Sequence, residues 1–434
     1  MNSHLCLIYL FLQLWITQAY GLRYVYGSPQ PTTQFLDWYE QYGFVFANAL
    51  RNNCDAEYQN YLYGVGTHFH ATWNGFDEPK VVYEAGSNVT INFNDGGDEA
   101  SSITQPVIQC ILNSTSDYIK SSMSSAQVLL GLTPTILALL GPSPMELSLL
   151  TIIAKRPALA LLLALACPSV YLSRAFENAP PLKILEERPG RLPQWRPEGS
   201  WRLALVITQY TIVLGSLANV AVLYYQLGVR TICMFFSNST VTPLLWGILV
   251  LPIHIVATFS LRLELRRLYH DDDGQLHTIG QWIKDTNKRI RELRKTEFAP
   301  AAVQEQIRIV TFPETKKLIA LNWLLTPGII IHIIFGTLVL SSLTFIGPRD
   351  ALEVVGRFMV SVLICRGVLM YEIAGVRDRY NSSDQEADDL FLEARSSEQV
   401  KPEHDIETAN KAGNGVYRRS LQVPTVETVP ITTP

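Results

Sequence analysis

The chain has 434 residues, of which 48% are hydrophobic and only 17% charged, with a formal net charge of −4. So low a charged share argues against an ordinary soluble protein, and a weakly acidic balance offers nucleic acid no electrostatic footprint. No nucleic-acid partner is expected.

In chain order, Leu5 to Ile16 is an apolar run too short to span a bilayer, followed by Thr17-Gln18-Ala19 with small residues suited to cleavage. Residues 1–19 therefore read as a secretory signal peptide. No Lys or Arg precedes the run, which keeps an uncleaved anchor as the alternative. Residues 20–123 then form a lumenal or extracellular domain of small α+β type. Between residues 22 and 122, eleven acids outnumber four bases. Sequons begin at Asn88 and Asn113, so glycosylation is expected at both. Cys54 and Cys110 are the only cysteines of this segment, in an oxidising compartment, and are expected to form a disulfide. Two free, buried thiols are the alternative.

Phe35, Trp38, Tyr39, Tyr42, Phe46 and Leu50 recur at helical spacing, which predicts a helix over Phe35–Leu50. Lys80–Tyr83 and Asn88–Phe93 flank Gly86-Ser87 and predict a hairpin, and Pro106 predicts a helix start. His68 and His70 alternate as on a strand and are the weak metal candidates, with Asp77, Glu78 or Asp95 to complete a set. Ordinary half-buried histidines are the simpler account. Asp95-Gly96-Gly97-Asp98-Glu99 lacks EF-hand spacing and reads as a solvated turn.

The second half holds long charge-free runs: Leu203–Val229, Val241–Leu261 and Leu318–Pro348 contain no Asp, Glu, Lys or Arg. About 20 apolar residues match a hydrocarbon core of about 30 Å. Residues 124–172 are expected to make one crossing at 126–141 and an interfacial or re-entrant element at 144–172, with Lys155 and Arg156 near the headgroups. Three short crossings are the alternative. Residues 173–200 form a Pro-rich cytoplasmic loop, 201–262 a transmembrane hairpin, 263–317 a basic loop, and 318–375 a second hairpin. The stretch 263–317 carries eleven Lys or Arg, which places it in the cytoplasm. A third sequon, at Asn238, lies in the connection of the first hairpin and is expected to be lumenal and glycosylated. The acidic tail 376–434 is expected to be disordered and cytoplasmic. The fold class is thus an α-helical polytopic membrane protein of about five spans (alternatively seven) with a small α+β N-terminal domain.

Residues Ser124 to Gly141, SSAQVLLGLTPTILALLG, resemble a segment of uncharacterised polytopic membrane proteins of filamentous fungi. The order of signal, cysteine-bearing ectodomain, this segment and later spans is similar too. The resemblance implies location and architecture, and no activity.

Three ionisable residues form a candidate intramembrane polar site. His254 follows Pro252 by two residues, His332 follows Pro327 by five, and Arg366 sits about two turns from its span's cytoplasmic end. Histidines acting as packing hydrogen bonds are the simpler account. Glu372 is expected at the interface. In the basic loop, Ile279, Ile283, Thr286, Ile290 and Leu293 mark a helical seam, and Lys284, Lys288, Arg289, Arg291, Arg294 and Lys295 make that helix basic. It is expected to lie on the anionic leaflet, a short coiled coil being the alternative. No Gly-x-Ser-x-Gly, phosphate-cradling glycine loop or His-Glu-x-x-His occurs, and no cofactor is expected. The expected function is a non-enzymatic sensor or organiser in a secretory-pathway membrane, plasma membrane or endomembrane. Its partners are the bilayer and proteins met by the ectodomain or tail. A proton-coupled or solute transporter and a lumenal metal-dependent enzyme are the alternatives.

Overall fold

The computed structural model describes residues 34–62, 104–168, 170–171, 185, 195–267, 296–304, 309–311 and 315–399, with short strands between 66 and 82. The chain divides into two units, Met1–Ser383 and Asp384–Pro434. The expected sites at Asn88, His70 and 279–295 lie outside the described residues.

The N-terminal region contains α1 (Gly43–Asn53), α2 (Asp55–Leu62), and the strands β1 (Gly66–His68), β2 (Ala71–Thr72), β3 (Gly75–Phe76) and β4 (Lys80–Val82), followed by α3 (Gln105–Asn113). β1 pairs antiparallel with β4, placing His68 opposite Lys80, and β2 pairs with β3. Lys80–Val82 thus pairs with a strand earlier in the chain; its expected hairpin partner, Asn88–Phe93, lies outside the described residues. α1 begins at Gly43, later than the helical spacing implies. Phe35 has a positive φ of 64°, and a side chain larger than glycine adopts that conformation only where packing holds it. The expected apolar residues are still gathered: Phe35, Tyr39, Phe46 and Leu50 are all buried. Pro106 lies in the first turn of α3, as its missing N–H favours. Cys54 and Cys110 are disulfide-bonded, tying the end of α1 to α3. Closing a loop of 56 residues by this bond restricts the unfolded chain by about 4 kcal/mol.

Among the described residues, five helices are long and apolar enough to cross a membrane: Asp117–Leu140, Trp201–Arg230, Thr242–Glu264, Lys316–Ser341 and Pro348–Tyr380. They are α4 (Asp117–Leu140), α7 (Trp201–Arg230), the consecutive pair α8 (Thr242–Ile248) and α9 (Val250–Glu264), α10 (Lys316–Ser341) and α11 (Pro348–Gln399). Two short helices intervene, α5 (Pro144–Ile152) and α6 (Pro157–Ala166). α4 packs on α10, α5 on α9, α9 on α10, and α6 on α7.

α7 shows how the bundle is built. Its buried residues include Val206, Gln209, Val213, Ser216, Val220, Leu223 and Leu227, one stripe at spacings of three and four. Leu203, Ile207, Leu214, Val222 and Tyr225 point outward and are exposed. Apolar side chains therefore cover the outward face as well as the inner stripe, which also takes in Gln209 and Ser216, unlike a surface helix in water.

The segment between α4 and α7 folds into the bundle. Ser143 accepts from the Glu146 N–H while the Glu146 carboxylate accepts from the Ser143 N–H, and Pro144 follows the cap, so α5 starts sharply. Lys155, at φ 52°, turns the chain from α5 into α6. The chain then returns to the level at which it left α4: the Tyr171 N–H donates to the Pro142 carbonyl. α5 thus continues the path of α4, and α6 runs back about 15 Å, half a hydrocarbon core.

The N-terminal region shares its core with the bundle. The β-strands β5 (Ile232–Cys233) and β8 (Leu343–Thr344) pair antiparallel across the turns after α7 and α10. Ile232 and Phe345 enter the cluster of Phe35, Phe46, Ile108 and Ile111. Phe345 meets the rings of Trp38 and Phe46 at centroid distances of 5.2 and 5.1 Å. A polar seam borders these contacts. Gln34 Nε2 donates to the Ser237 carbonyl at 2.7 Å, and Arg230 pairs with Asp37 at 2.7 Å. Burial pushes the Tyr39 phenol above its usual value while Arg230, over its ring, opposes the shift. β6 (Leu265–Arg267) and β7 (Ile309–Thr311) form a separate antiparallel pair after α9.

Two glycines test the packing. A Cβ on Gly228 would stand 2.0 Å from the Thr240 carbonyl oxygen, whereas one on Gly215 would meet nothing within 4 Å. Gly228→Ala is expected to lower unfolding free energy by about 1–3 kcal/mol. Gly215→Ala should leave it unchanged or raise it by up to about 1 kcal/mol. Thermal unfolding of both variants in detergent checks the pair.

Candidate functional site

The densest polar construction is a buried ion network at the turn between α5 and α6. Arg156 and Glu372 are both fully buried and pair at 2.8 Å. The sequence expectation put Arg156 near the headgroups and Glu372 at the interface; both side chains are instead turned into the protein and paired with each other. Gln209 of α7 joins them, donating Nε2 to Glu372 Oε1 at 2.6 Å and accepting Arg156 Nη1 at 2.9 Å. Glu372 Oε2 accepts the Ala301 N–H at 3.0 Å. Each carboxylate oxygen thus has a donor, the condition under which a buried charge is tolerated.

Residues 296–304 are seated on this network. The Glu297 carboxylate caps α6: Oε2 accepts the Ala158 N–H at 3.2 Å and Oε1 the Leu159 N–H at 3.0 Å. Those amides have no partner within their own helix, and the positive end of the helix dipole favours an anion there. The Tyr210 hydroxyl also donates to Glu297 Oε1, and its ring lies 5.8 Å from the Arg156 guanidinium. Arg156 Nε donates to the Glu297 carbonyl at 3.1 Å. Gln304 Nε2 closes the segment by donating to the carbonyls of Ala154 and Ala299 at 2.9 and 3.0 Å. Beneath it, Gly375 of α11 admits the backbone of Ala302, since a Cβ there would stand 2.5 Å from the Ala302 nitrogen. Neither Glu297 nor Gln209 stands out in sequence. Their only signal is polarity, one in a basic loop and one inside an apolar run.

The expected intramembrane residues separate. His332 Nε2 lies 3.1 Å from the Pro168 carbonyl, and its ring stacks on Trp246 at 5.9 Å between centroids. His254 lines a small apolar recess with Pro142, Pro144, Leu147, Cys167, Val170, Val250 and Ile253. Among the described residues no hydrogen bond joins the two histidines. Arg366 belongs to neither: it forms an ion pair with Glu146, the carboxylate that completes the cap of α5.

At the opposite end of the bundle, Asn113 is exposed at the close of α3. Asn238, expected to carry a glycan, is instead 6% exposed, and its Oδ1 accepts the Thr104 hydroxyl at 2.9 Å. Cys54, Glu57 and Cys110 are the one group of metal-ligating side chains brought together among the described residues, and the two sulfurs are bonded to each other. His68 lies on β1.

Comparison with family models, curated proteins and solved structures finds no match.

Removing one partner of a buried pair strands the other, which is expected to cost about 3–5 kcal/mol for Arg156→Met or Glu372→Leu alone. The double variant should lose far less than the two losses added together. Equal additivity in detergent unfolding would show that the two side chains do not interact.

Proposed function

We propose that this protein is a non-enzymatic integral membrane sensor or organiser of the secretory pathway, in which α11 couples the N-terminal region to the basic loop. Membrane insertion is supported by the five apolar helices and by the exposed apolar side chains of α7, Leu203, Ile207, Leu214, Val222 and Tyr225. The loop with eleven bases is cytoplasmic on this reading, and the N-terminal region, with its disulfide and its sequons, is lumenal or extracellular. Residues 1–19 act as the signal peptide. The resemblance to fungal polytopic proteins agrees with this layout.

One observation carries the proposal: a single helix is gripped at its start and again midway by the segments it would connect. At its start, the Gln41 N–H donates to Asp350 Oδ2 at 3.1 Å, and the Arg349 N–H donates to Gln41 Oε1 at 2.9 Å. Further along, Glu372 and Gly375 hold residues 301 and 302. The two grips lie about 33 Å apart at 1.5 Å per residue. A helix transmits a shift at one grip to the other, since packed elements move as units. Coupling is tested by hydrogen exchange of the full chain in detergent. Gln41→Ala and Asp350→Asn should raise exchange across 296–304 several-fold, and unchanged exchange there would reduce α11 to a passive scaffold.

The recess beside His254, where α4 breaks and the α6 segment turns back, favours one second reading, a proton-coupled or solute transporter. Proteoliposomes separate the two: a flux lost in His254→Ala with His332→Ala supports transport, and no flux in the unmodified protein excludes it.

Glycosylation reports orientation. Asn113→Gln is expected to remove a glycosidase-sensitive mass shift, and Asn238→Gln to leave the shift unchanged because its side chain is buried in the seam.

A further inference from the structure

The Glu297 carboxylate occupies the N-terminal end of α6. Two backbone N–H groups at the start of α6 and the Tyr210 hydroxyl converge on it. A second observation stands apart from this cap: Arg156 is fully buried, yet its Nη2 has no hydrogen-bond partner. A donor of that kind is costly to leave unmade, and a planar guanidinium beside a helix N-terminus matches phosphate oxygens. The occupant, by contrast, arrives on a tether and leaves by the movement of one segment.

We propose that the start of α6, with Arg156 and Tyr210, is a binding site for a singly charged phosphate group, and that Glu297 is its resident, displaceable occupant. A phosphodiester brings the same charge as the carboxylate it replaces, so the balance around Arg156 and Glu372 is kept. It also brings an additional acceptor oxygen, which the carboxylate lacks, for Nη2. A tethered carboxylate competes at an effective concentration on the order of millimolar, which a leaflet rich in anionic headgroups exceeds locally. The residues immediately before the segment, 284–295, carry six bases and two acids, a composition that draws the loop to such a leaflet. Anion entry would release 296–304 from α11. The inference rests on the cytoplasmic placement of this end in the proposed function.

The test uses the full chain with Ala302→Cys in nanodiscs, labelled by a charged thiol reagent and read by peptide mass. Ala302 is 5% exposed against α11, so labelling reports release. Labelling should be slow in phosphatidylcholine, whose phosphate is paired with its own choline. Adding phosphatidylserine should accelerate it about tenfold if a lipid headgroup is the ligand, and millimolar inorganic phosphate over phosphatidylcholine should do so if free phosphate is. Tyr210→Phe, which removes one donor, should blunt whichever response is seen. Equal rates in all three conditions, with Glu297→Gln labelling rapidly in each, overturn the proposal: the segment then opens without regard to anions. Slow labelling of Glu297→Gln throughout overturns it as well, because the carboxylate then holds nothing. Failure of coupling along α11 would leave these outcomes unaffected, since the variable here is the anion.

Discussion

The pairing of Arg156 with Glu372 is the constraint around which this bundle is organised. Four stretches of chain meet there: the α5–α6 turn, the first turns of α7, residues 297–301 and the later part of α11. Apolar helices surrounded by lipid gain little from choosing one register over another, because a lipid tail is as good a neighbour as a leucine. A buried charge has no such freedom. It must find its partner or bear the full cost of desolvation, so the pair ranks alternative packings even though it adds little net stability. Lys155 in its left-handed conformation sets the turn that aims Arg156 inward, and Gln209 then fixes how deeply α7 sits.

Much of the architecture could be read from the chain, and the reason is local. Charge-free runs mark helices long enough to span, proline marks the start of α3, and two cysteines in one acidic segment mark a disulfide. The errors share a different cause. Arg156 and Glu372 were placed by their distance along the chain from the ends of apolar runs, while what determines their position is a partner more than 200 residues away. Glu297 was likewise hidden, since nothing in a basic loop distinguishes a carboxylate that caps another helix. Asn238 satisfies the sequon pattern, but the pattern carries no information about Thr104, which takes up its amide oxygen. Phe35–Tyr42 has helical spacing without helical backbone, because aromatic burial there is achieved by a bend and not by a turn of helix.

The two ends of the bundle are finished in contrasting ways. One is closed by an aromatic core bordered by hydrogen bonds and by the Arg230–Asp37 ion pair. The other is closed by charge, with carboxylates shared between helix termini and a segment of loop. Apolar closure is insensitive to ions, whereas charged closure can exchange its partners. The sensitivity of the molecule is therefore expected at the α5–α6 end, with the aromatic end acting as its fixed mount.

Phe345 carries a consequence for biosynthesis. Its ring completes a core whose first members, among them Phe35 and Phe46, leave the ribosome some 300 residues earlier. At about 5–20 residues per second the N-terminal region waits roughly 15–60 s for that ring. During the interval its disulfide can close, but its apolar face stays open to chaperones. A chain ending before Phe345 leaves that face open, so one residue late in the sequence completes a core begun by the first helices.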